Sequence, residues 1–316
     1  MRSHGFIFAI FLAIGVAYFL PQGIGIFPLR TITDIGIGLI FFFYGLKLSP
    51  AEFKAGLVNY KVHIVIHLTT FIIFPLLCLL CLPLFEDGIR SELWIALFFL
   101  GALPSTVSSS VVMVALAKGN LPTAIFNASL SGLIGIVATP VWIAFILERS
   151  TDFDFLVVFQ KLFLQIIIPL TLGLFLQRSF GHLARKYGKQ LSLFDKTTII
   201  LIIYSSFSAS FTSELIENIK ISDLLKMTGI VLILFLVVFF GLALVSKLIG
   251  FNTEDKIAAQ FCGTKKSLVH GSVMVKVLFG NTAASGLLLL PIMIYHSLQL
   301  ILVAWAAERY ANREID

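Results

Sequence analysis

The sequence predicts an all-α membrane protein with ten transmembrane helices, and composition is the first reason. Hydrophobic residues make up 58% of the 316 positions, charged residues 13%, and the mean hydropathy is +1.00. A soluble protein carries about 25% charged residues, so this chain has too few to cover a surface that faces water. The apolar runs are long and continuous, unlike the ten-residue alternation of a membrane β-barrel. Helices are therefore the structure that can pair this backbone inside a lipid bilayer.

Ten apolar segments have the length of a membrane span, which is about 20 residues. The first follows Met1-Arg2-Ser3-His4 and lacks the small-residue cleavage site of a signal peptide, so we interpret it as a span. The longest polar connector, 178–196, leaves no room for a further soluble domain. The predicted spans are 5–21, 32–48, 60–84, 92–117, 120–147, 155–178, 195–212, 222–249, 254–279 and 281–308.

The basic residues indicate the orientation of these spans. With the N-terminus in the cytoplasm, fourteen of the 23 lysines and arginines fall on the cytoplasmic side and seven on the other. The remaining two, Lys265 and Lys266, lie inside a span. Cytoplasmic loops of membrane proteins are enriched in Lys and Arg, so we expect an inner-membrane protein with both termini in the cytoplasm. Because the net charge of +6 resides in short loops between apolar runs, the expected partner is the lipid bilayer and not a nucleic acid.

Ten spans divide into two groups of five, at residues 1–150 and 151–316. An odd number of spans per half places the halves in opposite orientations, which is the inverted-repeat arrangement of many secondary transporters. Similarity between the halves is too weak to demonstrate a repeat directly. The fourth and ninth segments occupy corresponding positions, however, and both are polar and interrupted. We therefore expect the substrate site at these two segments.

The fourth segment contains Pro104, which removes a helix hydrogen bond in mid-membrane. Broken helices survive at this depth where they are buried in protein or line a cavity, and their free backbone groups can hold ions. The alternative is a kinked helix whose hydroxyls bond their own backbone. The next span adds Asn127, our preferred contributor there, together with Ser129 and Ser131. The hydroxyls that follow Pro104 belong to Ser105, Thr106, Ser108, Ser109 and Ser110.

The ninth segment carries two adjacent lysines, Lys265 and Lys266, and we expect a helix break just before them at Gly263–Thr264. A charge at the bilayer centre costs about 2.5–3.5 kcal/mol even on lenient scales, so such residues are expected to be functional and to face the protein interior. The alternative is a purely structural tie. Thr264 is a further candidate because its hydroxyl lies at the expected break.

The lysines lack an evident carboxylate partner. Of the 17 acidic residues, only Asp34 lies within a span, near its outer end. Helix C-terminal carbonyls, hydroxyls or a mobile anion must therefore meet the two ammonium groups. His270 follows Lys266 by four residues, which predicts a shared helix face and a proton-relay role.

Other chemistries find little support in the sequence. Cys78 and Cys81 form a C-x-x-C inside an apolar helix without neighbouring ligands, so we interpret them as structural. His63 and His67 lack the further ligands of a metal site, and we predict neither a metal nor a cofactor. A nucleophilic serine needs a placed base, which the fourth segment does not supply, so we do not expect an enzyme.

The chain resembles the bile acid:sodium symporter superfamily (solute carrier family ten), in particular its member-seven-like branch. The resemblance covers essentially the whole chain, and the Lys-Lys segment is its most specific part. The motifs that carry it are Gly-Leu-Lys-Leu-Ser-Pro (45–50), Leu-Pro-Ser-Thr-Val-Ser-Ser-Ser (103–110), Leu-Ala-Lys-Gly-Asn (116–120), Phe-Asn-Ala-Ser-Leu-Ser (126–131) and Phe-Cys-Gly-Thr-Lys-Lys-Ser-Leu (261–268).

The resemblance implies a core domain of spans 3–5 and 8–10 and a panel domain of spans 1, 2, 6 and 7. It further implies that the fourth and ninth helices are unwound and cross. Substrate would bind where core and panel meet, with alternating access as one moves against the other.

The sequence departs from the sodium-coupled members of that superfamily in the ninth segment. Their Glu-x-Gly-x-Gln-Asn pattern supplies sodium ligands, whereas Phe261, Lys265 and Lys266 stand at the Glu, Gln and Asn positions here. Two like charges 4 Å apart repel by about 4 kcal/mol at an effective dielectric of 20, which is roughly three decades in affinity. We therefore hypothesise that a lysine ammonium, Lys265 by preference, replaces bound sodium as a fixed positive charge.

The predicted function is secondary-active transport of a small organic anion, by a protein that is not conventionally sodium-coupled. Uniport and proton coupling both remain open. One alternative is a membrane regulator without a substrate of its own, for example one of calcium homeostasis. Another is a sodium symporter whose ion sites have moved.

Overall fold

The structure is a computed structural model that describes residues 3–21, 28–48, 59–88, 91–106, 108–147, 160, 163–212, 219–280, 282 and 284–313. Within these ranges every regular element is a helix. The α-helices are α1 (Ser3–Phe19), α2 (Leu29–Lys47), α3 (Tyr60–Leu68), α4 (Phe74–Leu80), α5 (Glu92–Ala102), α6 (Ser108–Leu116), α7 (Leu121–Leu147), α8 (Ile168–Lys186), α9 (Gly188–Phe211), α10 (Ile221–Ile249), α11 (Thr253–Thr264), α12 (Leu268–Phe279) and α13 (Ala284–Ala311). A π-helical turn, Thr69–Ile73, joins α3 to α4, and a second one, Phe163–Ile167, precedes α8.

Seven helices of the described residues are long and apolar enough to cross a membrane. This finding agrees with the prediction of an all-α, multi-pass membrane protein. The fourth and ninth segments each consist of two shorter helices, so the total of ten spans stays a prediction. The predicted boundary between the halves, near residue 150, lies outside the described residues, and the inverted repeat stays a prediction as well. The seven helices are Leu29–Lys47, Tyr60–Leu84, Leu121–Leu147, Phe163–Lys186, Gly188–Phe211, Ile221–Ile249 and Ala284–Ala311.

The chain forms two compact units, and each takes segments from both halves of the sequence. The first unit comprises Met1–Ser49, Thr151–Ile221 and Gly271–Leu290. The second comprises Pro50–Ser150, Ser222–His270 and Pro291–Asp316, and it contains both interrupted segments up to His270.

The first unit is packed around a close approach of α2 and α8. A side chain at Gly45 would collide with the backbone of Leu170 on α8, and one at Gly173 would collide with the carbonyl of Phe42 on α2. Small residues at a helix interface let two membrane helices approach closely enough for their backbones to pack against each other. The two glycines therefore permit the close α2–α8 contact.

In the second unit, the end of α6 is tied to the start of α11. Lys118 takes a left-handed conformation (φ 53°), and the Gly119 N–H bonds the Val114 carbonyl at 2.9 Å, which closes the helix end. A side chain at Gly119 would lie 2.7 Å from Ile257, so glycine is needed for this contact with α11. The Asn120 N–H then donates to the Glu254 carbonyl at 3.0 Å.

Candidate functional site

The first helix interruption in the second unit comprises Leu103–Thr106, between α5 and α6. Pro104 has no N–H, and the Ser105 N–H donates to the Ser131 hydroxyl at 2.9 Å. The Gly101 carbonyl therefore loses both donors, i+3 and i+4, that a continuing helix would give it. The predicted position, Pro104–Ser105, lies inside this interruption.

The second interruption comprises residues 265–267, between α11 and α12. We predicted the break at Gly263–Thr264, but both residues are helical, and the prediction was wrong by two positions. A side chain at Gly263 would lie 2.8 Å from Leu242, so this glycine provides room for packing and not a turn. The Thr264 hydroxyl donates to the Gln260 carbonyl at 2.7 Å and keeps the last turn helical.

Side chains of α13 pair the backbone groups that the second interruption frees. The Tyr295 hydroxyl donates to the Thr264 carbonyl at 2.5 Å. The Gln299 amide bonds Lys266 twice, since its oxygen accepts from the Lys266 N–H at 2.8 Å and its nitrogen donates to the Lys266 carbonyl at 2.9 Å. Because lipid offers no hydrogen bonds, non-helical backbone at membrane depth requires such partners.

The two interruptions touch each other directly. The Ser105 hydroxyl donates to the Cys262 carbonyl at 2.6 Å, and the Ser267 N–H donates to the Pro104 carbonyl at 2.9 Å. Residues about 160 positions apart thus form one buried contact. Both hydrogen bonds use groups that the helix breaks released, so each break supplies partners for the other.

Lys266 lies at this contact, and only 1% of it is exposed. Its ammonium donates to the carbonyls of Thr70, Gly101 and Leu103 at 2.9, 2.6 and 2.9 Å. It also lies 4.2 Å from the centre of the Phe74 ring, in a cation–π contact. Gly101 lies in the last turn of α5 and Leu103 directly follows the helix, at the end where the helix dipole favours a positive charge.

The Thr70 carbonyl is available to Lys266 because of Pro75. In the π-helical turn, the Phe74 N–H bonds the Thr69 carbonyl, so the donor for Thr70 in the same register would be residue 75. Proline has no N–H. The Phe71 carbonyl, the α-helical acceptor for position 75, receives the Trp142 indole N–H at 2.7 Å instead.

Lys265 is fully buried, and its ammonium points to a different partner. It donates to the Ser109 carbonyl at 2.8 Å, the one acceptor that the described residues offer it. Three hydroxyl groups form a cluster at the start of α6. The Thr106 oxygen lies 2.7 Å from the Ser109 hydroxyl and 3.0 Å from the Ser110 hydroxyl. An ammonium group has three N–H donors, and the described residues occupy one of those of Lys265.

Asn127, Ser129 and Ser108 are the other residues that the sequence predicted for the site. Asn127 is buried and donates to His63 Nδ1 at 2.7 Å and to the Thr123 carbonyl at 2.8 Å, and its own oxygen has no partner among the described residues. Ser129 is half-buried on α7. The side chain of Ser108 lies outside the described residues.

The structure contradicts the expected shared face of Lys266 and His270. Lys266 lies in the interruption, before α12 begins, so helical spacing does not relate the two residues. Ser267 instead caps α12: its hydroxyl oxygen accepts from the His270 N–H at 3.2 Å and lies 3.0 Å from His270 Nδ1. His270 therefore belongs to the cap of α12.

The two residues of α13 that pair the second interruption, Tyr295 and Gln299, were not among the sequence-predicted candidates. Gln299 had a usable signal, because an uncharged polar side chain in an apolar span requires a partner in the protein interior. Tyr295 had a weaker signal, since a tyrosine is common in membrane helices. Phe261, at the carboxylate position of the sodium-coupled pattern, packs its buried ring on Phe239 with ring centres 6.2 Å apart.

Replacing Gln299 by leucine is expected to lower the free energy of unfolding by roughly 2–5 kcal/mol, because it leaves the Lys266 N–H and carbonyl unpaired. Thermal unfolding of the purified protein in detergent measures this. The exposed Gln190 on α9 provides the matched control, and Gln190→Leu should change the midpoint little. Equal midpoints for the two variants would show that Gln299 does not support the interruption.

Comparison with known proteins identifies the family. The model of the SBF-like CPA transporter family, which is of the bile acid:sodium symporter type, matches residues 4–312. The uncharacterized protein PA2026 of Pseudomonas aeruginosa is 36% identical over 314 residues, covering 98% of this chain and 94% of its own. The putative symporter YfeH of Escherichia coli is 30% identical over 284 residues, which cover 90% of this chain and 85% of the relative. The sodium/bile acid cotransporter 7 of Rattus norvegicus is 31% identical, covering 96% and 91%. With a family match across nearly the whole chain and an all-helical fold of membrane-spanning length, this protein belongs to the SBF-like CPA transporter family.

Proposed function

We propose that this protein is a secondary-active transporter that carries a small organic anion by alternating access, without conventional sodium coupling. The observation that carries the proposal is the fully buried Lys265 ammonium, which has one carbonyl acceptor among the described residues and lies beside the Thr106–Ser109–Ser110 hydroxyl cluster. A buried cation with unused donors, next to hydroxyl groups, is a suitable partner for a carboxylate or sulfonate.

The charge balance at the contact of the two interruptions favours an anionic ligand. Lys265 and Lys266 are both buried, and among the described residues no carboxylate lies within 4.0 Å of either ammonium. Carbonyl dipoles stabilise these charges but do not neutralise them. A small anion that enters would complete the compensation, since burying an unpaired charge costs several kcal/mol.

The same two lysines argue against conventional sodium coupling. A sodium ion near either ammonium would experience a repulsion of about 4 kcal/mol at 4 Å and an effective dielectric of 20. Phe261 offers a packed ring where a carboxylate ligand is expected. The Rattus norvegicus relative is named as a sodium cotransporter, and that name describes the relative and not this chain. For this chain, uniport or proton coupling follows, with Lys265 preferred as the fixed positive charge.

The proposed architecture is ten spans in two inverted repeats, 1–150 and 151–316, with a core domain, a panel domain and crossing helices. Two features support it: the direct contact of the fourth and ninth segments, and the second unit, which collects 50–150, 222–270 and 291–316. The basic residues support a location in the inner membrane with both termini in the cytoplasm.

A ligand screen in sodium-free buffer tests the proposed anion site. Purified protein is heated with acetate, benzoate and taurocholate, and separately with acetamide, benzamide and benzylamine as neutral and cationic counterparts. We expect at least one anion to raise the unfolding midpoint saturably, by about 3 °C or more, while its counterparts do not. A midpoint raised only by neutral or cationic compounds would contradict an anion site. A protein that none of them stabilises would favour the regulator without a substrate.

A further inference from the structure

We infer that the carbonyls of Thr70, Gly101 and Leu103, together with the Phe74 ring, form a binding site for a primary alkylammonium ion, which the protein fills with its own Lys266 side chain. The inference deepens the proposed function, because this site lies at the same helix interruptions. It does not depend on transport, since the three carbonyls and the ring contact the Lys266 ammonium without any substrate.

The number of acceptors at this site matches the number of donors on an ammonium group. An ammonium group has three N–H donors, and the site has three carbonyl oxygens at 2.6–2.9 Å from the Lys266 nitrogen. These distances suit N–H···O hydrogen bonds, so each N–H of the ammonium has an acceptor of its own.

The carbonyl acceptors of Thr70 and Gly101 are unpaired within their own helices whether or not the lysine is present. Pro75 leaves the Thr70 carbonyl without a donor. Pro104, together with the Ser105–Ser131 hydrogen bond, leaves the Gly101 carbonyl without one. Removing the Lys266 ammonium would not allow these carbonyls to pair within their own helices, so they would remain as unpaired acceptors in a buried, negatively polarised site.

The Phe74 ring also contacts the ammonium, with the ring centre 4.2 Å from the Lys266 nitrogen. Carbonyls alone would accept any small cation, but an aromatic face adds attraction for an alkylammonium whose methylene groups can lie against it. The lysine residue beyond its β-carbon has the structure of n-propylammonium. Lys266→Ala would therefore leave a space of the shape and polarity of that ion.

Thermal unfolding of the full chain in detergent tests the inference. Lys266→Ala should unfold at least about 5 °C below the wild type, and n-propylammonium chloride should restore about 3 °C or more, saturably. Wild-type protein should not respond, because its site is full. Choline chloride at the same ionic strength controls for the effect of salt, and 1-propanol is the uncharged counterpart of the ligand. The Lys266→Met variant is the third control, because its side chain fills the space. A Lys266→Ala midpoint that rises equally with 1-propanol, or not at all with n-propylammonium, would overturn the inference.

A double-mutant cycle keeps the inference falsifiable if Lys266→Ala does not yield folded protein. Phe74→Leu removes the ring from the site. Its loss of midpoint should be larger in the wild type than in Lys266→Met, because the ring attracts the ammonium only when the ammonium is present. Equal losses in the two backgrounds would contradict a cation site. Both experiments use Lys266 and Phe74 variants and neither uses an anionic ligand, so a failed anion screen would leave this inference standing, and the reverse also holds.

Discussion

Replacing Lys265 by methionine is expected to reduce uptake of the stabilising anion at least about 10-fold in proteoliposomes. Methionine keeps the length of the side chain but removes the charge. A hydrogen bond to a charged group contributes about 1.5–3 kcal/mol, which corresponds to 10-fold to 100-fold in affinity. The loss should appear mainly in the apparent affinity for the anion, because the described residues occupy one of the three Lys265 donors.

Lys247→Met is the control for this variant. Lys247 is an exposed lysine at the end of α10, so its replacement also removes one positive charge but should leave uptake unchanged. A Lys265→Met protein that folds and transports at the wild-type rate would show that Lys265 is a structural tie between α6 and the second interruption.

Adding a methyl group at Gly135 is expected to weaken both stability and uptake. The β-carbon of Gly135→Ala would lie 2.6 Å from Cγ and 2.7 Å from Cβ of Pro104, whose ring is rigid. The first interruption must then shift relative to α7, where Ser131 holds the Ser105 N–H. Overpacking of this kind costs about 1–3 kcal/mol. A shift of the interruption should also disturb the Lys266 carbonyl partners, so we expect uptake to fall several-fold.

Gly241→Ala separates this effect from helix propensity. Gly241 lies in the interior of α10, and a β-carbon there would meet no atom within 4 Å. Alanine is favoured over glycine in a helix by about 1 kcal/mol, so the control should unfold at the same temperature or higher. If Gly135→Ala matched this control in stability and in uptake, the position of Pro104 would not matter for the site.

Much of the fold could be predicted from residue types. Hydropathy predicted helices of membrane length, and Pro104 predicted a position inside the first interruption, because a missing N–H is a property of one amino acid. The second interruption carried no proline. Gly263 appeared to be the breaking point, but its role is close packing against Leu242, which sequence cannot distinguish from a turn.

The contacts of the two lysines illustrate what the sequence could not predict. The absence of an intramembrane carboxylate left helix C-terminal carbonyls, hydroxyls or a mobile anion as partners, and the structure pairs Lys266 with carbonyls, two of them at the end of α5. That a third carbonyl comes from Thr70 depends on the π-helical turn, in which a shift of hydrogen-bond register combines with Pro75. The Gln299 clamp was not predicted either, since it joins residues 33 positions apart on different helices.

The central claim is that a lysine charge takes the place of a coupling sodium ion, and the sodium dependence of uptake tests it most directly. Proteoliposomes are loaded with potassium, and uptake of the stabilising anion is measured with sodium, potassium or N-methylglucamine outside, at equal ionic strength and clamped membrane potential. We predict the same initial rate in all three solutions. A rate that rises saturably with external sodium and not with potassium would contradict the account.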